Sequence, residues 1–180
     1  TDNANENSSE PNDTITNATA VDFESEEFSF STIGVIGDNQ SLTELGKDVD
    51  LYEIQSTRVG AFNPNFSVDV DTPASSSLDL QLQLFNSNGK AIEFDDDGDA
   101  PDENSSLDPF LEFTPPSSGT YYVGISDVAN DLYSPYVPES GSAAGATGTY
   151  TLEIAATGLS FNVDSTPREG ESRFPFGFRP

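Results

Sequence analysis

Oxygen-bearing side chains gather at three places along this chain of 180 residues, and they are its best candidates for chemistry. Glu10-Pro11-Asn12-Asp13-Thr14 sets three of them within four residues, beside a proline that limits backbone freedom. Asp48 and Asp50 stand two apart in Asp48-Val49-Asp50-Leu51-Tyr52, so in an extended chain they share one face and can reach the same ion. Like charges at that spacing repel unless a cation or water lies between them. Asp95, Asp97, Asp99 and Asp102 form the third set, with Asp96 and Asp108 close in sequence. Carboxylates and amide oxygens select hard cations, and calcium, which takes six to eight oxygens, is the ion expected. The first and third sets also have a reading without a ligand. The first makes an Asx-type turn or a cap for the piece from 15 to 21; the third is equally a solvated hairpin tip.

The third set invites comparison with an EF-hand, since from Glu93 its acidic residues fall at every second position and Gly98 is sixth. The twelfth position is Asn104 rather than Glu, Pro101 interrupts, and no helix is expected on either side. It is not an EF-hand.

Composition removes other chemistries. The chain has no His, Cys or Trp, which leaves no thiol nucleophile, no serine triad and no ordinary zinc or copper ligands. With 32 acidic against 6 basic residues, a formal charge of -26, it cannot neutralise nucleic-acid phosphates. No apolar run approaches the ~18 residues of a membrane-spanning helix. Paired carboxylates can hydrolyse glycosides without His, but nothing singles out a pair in contrasting environments, so no catalysis is expected.

The elements that must position these carboxylates read as strands. Leu78, Leu80, Leu82 and Leu84 alternate with Asp79, Gln81 and Gln83, the pattern of a half-buried strand. Asn88-Gly89 then predicts a tight turn with both residues at positive φ, and a return strand over 90–94. Further strands are expected near 28–36, within 46–54, over 66–70, over 107–113, over 120–126 with Tyr121, Val123 and Ile125 on one face, and over 149–154 with Tyr150, Leu152 and Ile154 inward. Gly37-Asp38-Asn39 reads as a turn, and 127–147 as a long functional or mobile loop. About eight short strands without an amphipathic helix predict an all-β fold, an antiparallel β-sandwich of jelly-roll type. Residues 1–9 read as a flexible lead-in, 10–157 as the calcium-binding sandwich, and 158–180 as a tail. The tail carries Arg168, Arg173 and Arg179 and the run Phe174-Pro175-Phe176-Gly177-Phe178.

In their order and spacing, Glu10-Pro11-Asn12-Asp13-Thr14, Asp48-Val49-Asp50-Leu51-Tyr52, Leu78-Asp79-Leu80, Asp95-Asp96-Asp97-Gly98, Leu107-Asp108 and Ser118-Gly119-Thr120-Tyr121-Tyr122-Val123 form a series. Over roughly residues 10 to 156, this series resembles the bacterial pre-peptidase C-terminal domain, a relative of the collagen-binding domains of clostridial collagenases. The resemblance implies a jelly-roll sandwich of a secreted, periplasmic or cell-surface bacterial protein. It also implies calcium on Glu10, Asn12, Asp13, Asp48 and Asp50, which requires the N-terminal segment to fold back beside a strand. Collagen-binding relatives carry a further acidic residue where this chain has Ser8. The function implied is a non-catalytic, monomeric accessory module that binds an extracellular protein or polysaccharide or assists a secreted protease. The alternative is a carbohydrate-binding or glycoside-processing domain using paired carboxylates. Tyr122, Tyr133 and Tyr136 are the candidate contacts for a polymer, or else half-buried packing.

Overall fold

The computed structural model describes residues 10–23, 28–57, 64–103 and 107–157. In these lie nine strands, one more than the sequence pattern implies: β1 (Thr19–Ala20), β2 (Ser29–Ile36), β3 (Asp50–Ser56), β4 (Asn65–Asp71), β5 (Leu80–Asn86), β6 (Ala91–Asp95), β7 (Phe110–Phe113), β8 (Gly119–Asp127) and β9 (Gly148–Thr157). A single 3-10 turn, Leu45–Lys47, precedes β3. The strands make two sheets, ordered β1-β3-β8-β5-β6 and β2-β9-β4-β7. Every pairing is antiparallel except that of β1 with β3, where Thr19 lies against Tyr52. The all-β sandwich read from the sequence is the fold found.

Alternation explains why these segments are strands. In β9, Tyr150, Leu152, Ile154 and Ala156 are buried while Thr151, Glu153 and Thr157 are exposed, so one face of the strand pays its ordering entropy by leaving water. These side chains meet Tyr52, Ile54, Leu80, Leu82, Leu84, Val123 and Ile125 from the facing sheet in the main core. Each fully buried aliphatic or aromatic side chain contributes about 1.5–3 kcal/mol.

Three expectations are corrected. The strand β5 is not half-buried: Gln81 is 1% and Gln83 9% exposed, because the segment after β8 covers the outer face of this sheet. Gln81 ties that cover down, donating from Nε2 to Ser126 Oγ (2.9 Å) and to the carbonyl of Asn130 (3.2 Å). At the β5–β6 turn Gly89 alone takes positive φ (+64°); Gly89 N–H donates to the Asn86 carbonyl at 2.8 Å, giving a longer loop than a two-residue turn. The strand expected over 107–113 begins only at Phe110, since Pro109 has no N–H for a ladder and Leu107 lies exposed in a bend. The piece from 15 to 21 is a turn leading into the parallel strand β1. The lead-in, including Ser8, and the tail from 158 lie outside the described residues.

Candidate metal centre

The N-terminal segment runs back along β3. The Leu51 N–H donates to the Asn12 carbonyl at 3.2 Å and the Val21 N–H to the Glu53 carbonyl at 2.9 Å, bracketing the parallel pairing of β1. The Ile15 N–H bonds the Pro135 carbonyl at 2.9 Å, and Ile15 and Ala18 pack on Val49, Leu51, Phe85, Tyr122 and Tyr133. This docking brings Glu10, Asn12 and Asp13 to the start of β3, where Asp48 and Asp50 stand. From the opposite side comes the turn after β2, Gly37-Asp38-Asn39. One carboxylate oxygen each of Glu10, Asp38, Asp48 and Asp50 lies within 4.8 Å of all the others.

The hydrogen bonds around this group share a pattern. Asp48 Oδ2 accepts from the Gly37 N–H (2.6 Å) and the Asp38 N–H (3.2 Å). Asp50 Oδ2 accepts from the Tyr150 hydroxyl, which itself lies 2.9 Å from the Tyr52 hydroxyl. Asp13 Oδ2 accepts from Asn39 Nδ2, and Glu10 Oε2 from the Asn12 N–H at 3.2 Å. In each of these four residues the second oxygen (Asp48 Oδ1, Asp50 Oδ1, Asp13 Oδ1 and Glu10 Oε1) is buried without a hydrogen-bond partner. Asp38 Oδ1 and both side-chain polar atoms of Asn12 share that condition. Asn12, Asp48 and Asp50 are wholly removed from solvent.

Such burial is costly for charge. Glu10 is pushed up to about 9, first by loss of solvent and then by repulsion from Asp50 and Asp48. Asp48 is pushed up to about 8 by burial and by Asp50, against the Gly37 N–H, which favours its charged form. Asp50 rises to about 6: burial raises it, and the Tyr150 hydrogen bond and the nearby Asn12 amide hold it back. Burial also raises Asp13 and Asp38. Basic help is scarce. Lys47, next in sequence to Asp48, pairs with Glu44 at 3.1 Å instead, and of the six basic residues only Lys47 and Lys90 are among those described.

All five residues of the first sequence set thus converge. Asp38, Asn39, Tyr52 and Tyr150 were not anticipated there. The only local sign was that Gly37-Asp38-Asn39 is as rich in oxygen donors as Asn12-Asp13. The third set is placed differently. Asp95 turns its Oδ2 to backbone, accepting from the Gly98 N–H (2.8 Å) and the Phe110 N–H (3.1 Å), as a clasp between the loop and β7. Asp97, Asp99 and Asp102 are exposed. Among the described residues a second carboxylate group gathers Asp108 with Asp71 and Glu103, and Asp108 also accepts from Thr72 Oγ1 at 2.8 Å. Asp95, Asp97, Asp99 and Asp102 join neither group. Of the tyrosines, Tyr122 and Tyr133 are buried and only Tyr136, 52% exposed, faces solvent.

A two-sheet sandwich whose N-terminal segment closes an all-oxygen pocket on the first long strand of one sheet defines the class of this module. Residues 48–127, from the site aspartates to the end of β8, match the family model of the bacterial pre-peptidase C-terminal domain. Two solved structures are similar. One is the pre-peptidase C-terminal domain of collagenase from Bacillus anthracis, at 12% identity over 76% of this chain and 93% of that one, with a TM-score of 0.42. The other is CorA, described as a surface-associated copper-binding protein important in copper acquisition by Methylomicrobium album BG8. It has 12% identity over 77% and 98% of the two chains, with a TM-score of 0.38. No curated protein matches the chain. Among the described residues no helix is long and apolar enough to cross a membrane.

Proposed function

We propose that this domain is a calcium-stabilised, non-catalytic accessory module of a secreted or cell-surface bacterial protein. In this reading Glu10, Asn12, Asp13, Asp38, Asp48 and Asp50 hold the ion and Tyr150 orients Asp50. The observation that carries the reading is the pairing pattern: each of four carboxylates has one oxygen fastened to the protein and the other buried and unpaired. Hydrogen bonds alone leave those oxygens repelling one another; a divalent cation satisfies them together and offsets the cost of burial. Six side chains and an irregular arrangement suit calcium, whereas magnesium demands near-octahedral geometry and keeps its waters. The ion then pins the N-terminal segment to β3 and to the β2 turn, and its role is structural.

The arrangement also supports the absence of catalysis. Glycosidase carboxylates flank a sugar in an open cleft, while Asp48 and Asp50 are wholly buried against Glu10 and Asp38 and leave no room for one. As an accessory module the domain would act on an extracellular protein or polymer through its surface, or assist a secreted protease.

Thermal unfolding in EDTA and in millimolar calcium, with magnesium as control, tests the reading. Calcium at a hundredfold over its dissociation constant adds about 2.7 kcal/mol, a rise of about 5–11 °C for a chain of this size. Asp48→Asn or Asp50→Asn is expected to abolish the rise, and Asp95→Ala to preserve it. No calcium-specific rise, or an equal one in magnesium, refutes the proposal.

A further inference from the structure

The outer face of the β1-β3-β8-β5-β6 sheet is only partly covered. Between the loop after β8 and the edge strand β6 runs a groove of about 810 Å³, floored by Phe85 and Tyr133 and walled by Phe94, Leu132, Pro135 and Tyr136. Glu93, Asp96 and Asp131 also line it. Its apolar groups are unusually open for so acidic a chain: Phe94 is 51%, Leu132 81% and Tyr136 52% exposed. Leu132 is held there at φ +56°, a left-handed conformation that a leucine rarely adopts. An apolar trough with carboxylates along it calls for an occupant that is aromatic and cationic together.

The chain itself supplies such a segment. Ser172-Arg173-Phe174-Pro175-Phe176-Gly177-Phe178-Arg179-Pro180 has three phenylalanines, two arginines and no acidic residue, within a protein of net charge -26. Alternate residues of an extended chain share a face, which would put Phe174, Phe176 and Phe178 on one side. Residues 158–180 lie outside the described residues, and the last described strand ends at Thr157. That end is the right one. Phe113 stacks on Phe66, whose partner in β9 is Ala156, and also touches Tyr121, whose partner in β5 is Asn86. Thr157 and the β5–β6 turn therefore share one end of the sandwich. The 15 residues from 158 to 172 span up to about 50 Å, and packed sheets lie about 10 Å apart. The competing acidic hollow, on the outer face of the other sheet, has Asp69, Glu112 and Glu153 but only about 230 Å³, with Phe110 as its one aromatic ring. It can attract arginine but cannot seat three rings.

We propose that residues 172–180 seat in the groove between β6 and the loop after β8, the phenylalanines on Phe94, Leu132 and Tyr136 and the arginines beside Glu93, Asp96 and Asp131. The tail is then a built-in occupant of this face, and any outside ligand for it must first displace the tail.

The absence of cysteine makes a clean test possible. Ser172→Cys in the full chain carries a single nitroxide, and amide line broadening maps where it dwells. The expected result is broadening of the Phe94, Leu132 and Tyr136 amides severalfold above that at Asp69 and Glu153. It should fall to the level of those controls when Phe174, Phe176 and Phe178 are all changed to Ser, or, with an intact tail, in Leu132→Ser. Even broadening of both faces, broadening centred on Asp69 and Glu153, or insensitivity to both variants overturns the proposal. So does broadening that appears only when isotope-labelled chains are mixed with separate spin-labelled ones, which moves the tail onto a second copy.

Discussion

Replacing Tyr150 by phenylalanine removes one oxygen from the junction between the core and the acidic pocket. The ring is 1% exposed and its hydroxyl donates to Asp50 Oδ2, so water cannot easily take its place. The cost depends on what Asp50 carries. With calcium bound, Asp50 is a carboxylate, and losing a hydrogen bond to a charged group costs about 1.5–3 kcal/mol. Without the ion, in melts at pH 5, Asp50 is mostly protonated, since its pKa is pushed up to about 6 by burial, and a neutral bond is worth about 0.5–1.5 kcal/mol. At about 3 °C per kcal/mol, melting should fall by about 6 °C in calcium and about 3 °C in EDTA. By linkage, the difference of about 1 kcal/mol must appear as a calcium dissociation constant about fivefold weaker. Circular-dichroism melts in both conditions and a calorimetric calcium titration give the two numbers independently. Equal losses in calcium and EDTA, with unchanged affinity, would refute the role given to the hydroxyl.

Two further outcomes follow from the same geometry. In EDTA, Glu10, Asp48 and Asp50 bind protons more tightly folded than unfolded (about 9, 8 and 6 against ordinary carboxylate values near 4). The folded state then holds the extra protons, so ion-free stability is greatest at mildly acidic pH and declines as pH rises from about 4 through these values; calcium should flatten the decline, and melts from pH 5 to 9 that rise in EDTA would contradict it. In Gly34→Ala, the new Cβ would sit 2.1 Å from Tyr150 Cζ and 2.2 Å from its hydroxyl, so the ring must move. Such overpacking costs about 1–3 kcal/mol, and calcium affinity, read by titration, should weaken at least as much as in Tyr150→Phe.

How much of this was legible in the chain itself depends on how local the cause is. The alternation of Tyr150, Leu152 and Ile154 identifies β9 and its inward face because burial of one face of a strand leaves a period of two in the residues. Asp48 and Asp50 could be paired by inspection for the same reason, and the missing His and Cys restricted any metal to oxygen ligands. The motif series also resembles the family whose model matches residues 48–127. Other features left no local mark. Asp38 reaches the pocket only because the turn after β2 passes over the start of β3, and Tyr150 meets Asp50 across 100 positions of sequence. Gln81 and Gln83 read as solvent-facing because their burial is imposed by a loop some 50 residues later, fastened through Ser126 and Asn130. Strand identity and the face that turns inward follow from short-range pattern. Which turns and side chains converge on the carboxylates is decided by register and crossover, and these exist only once the two sheets have packed.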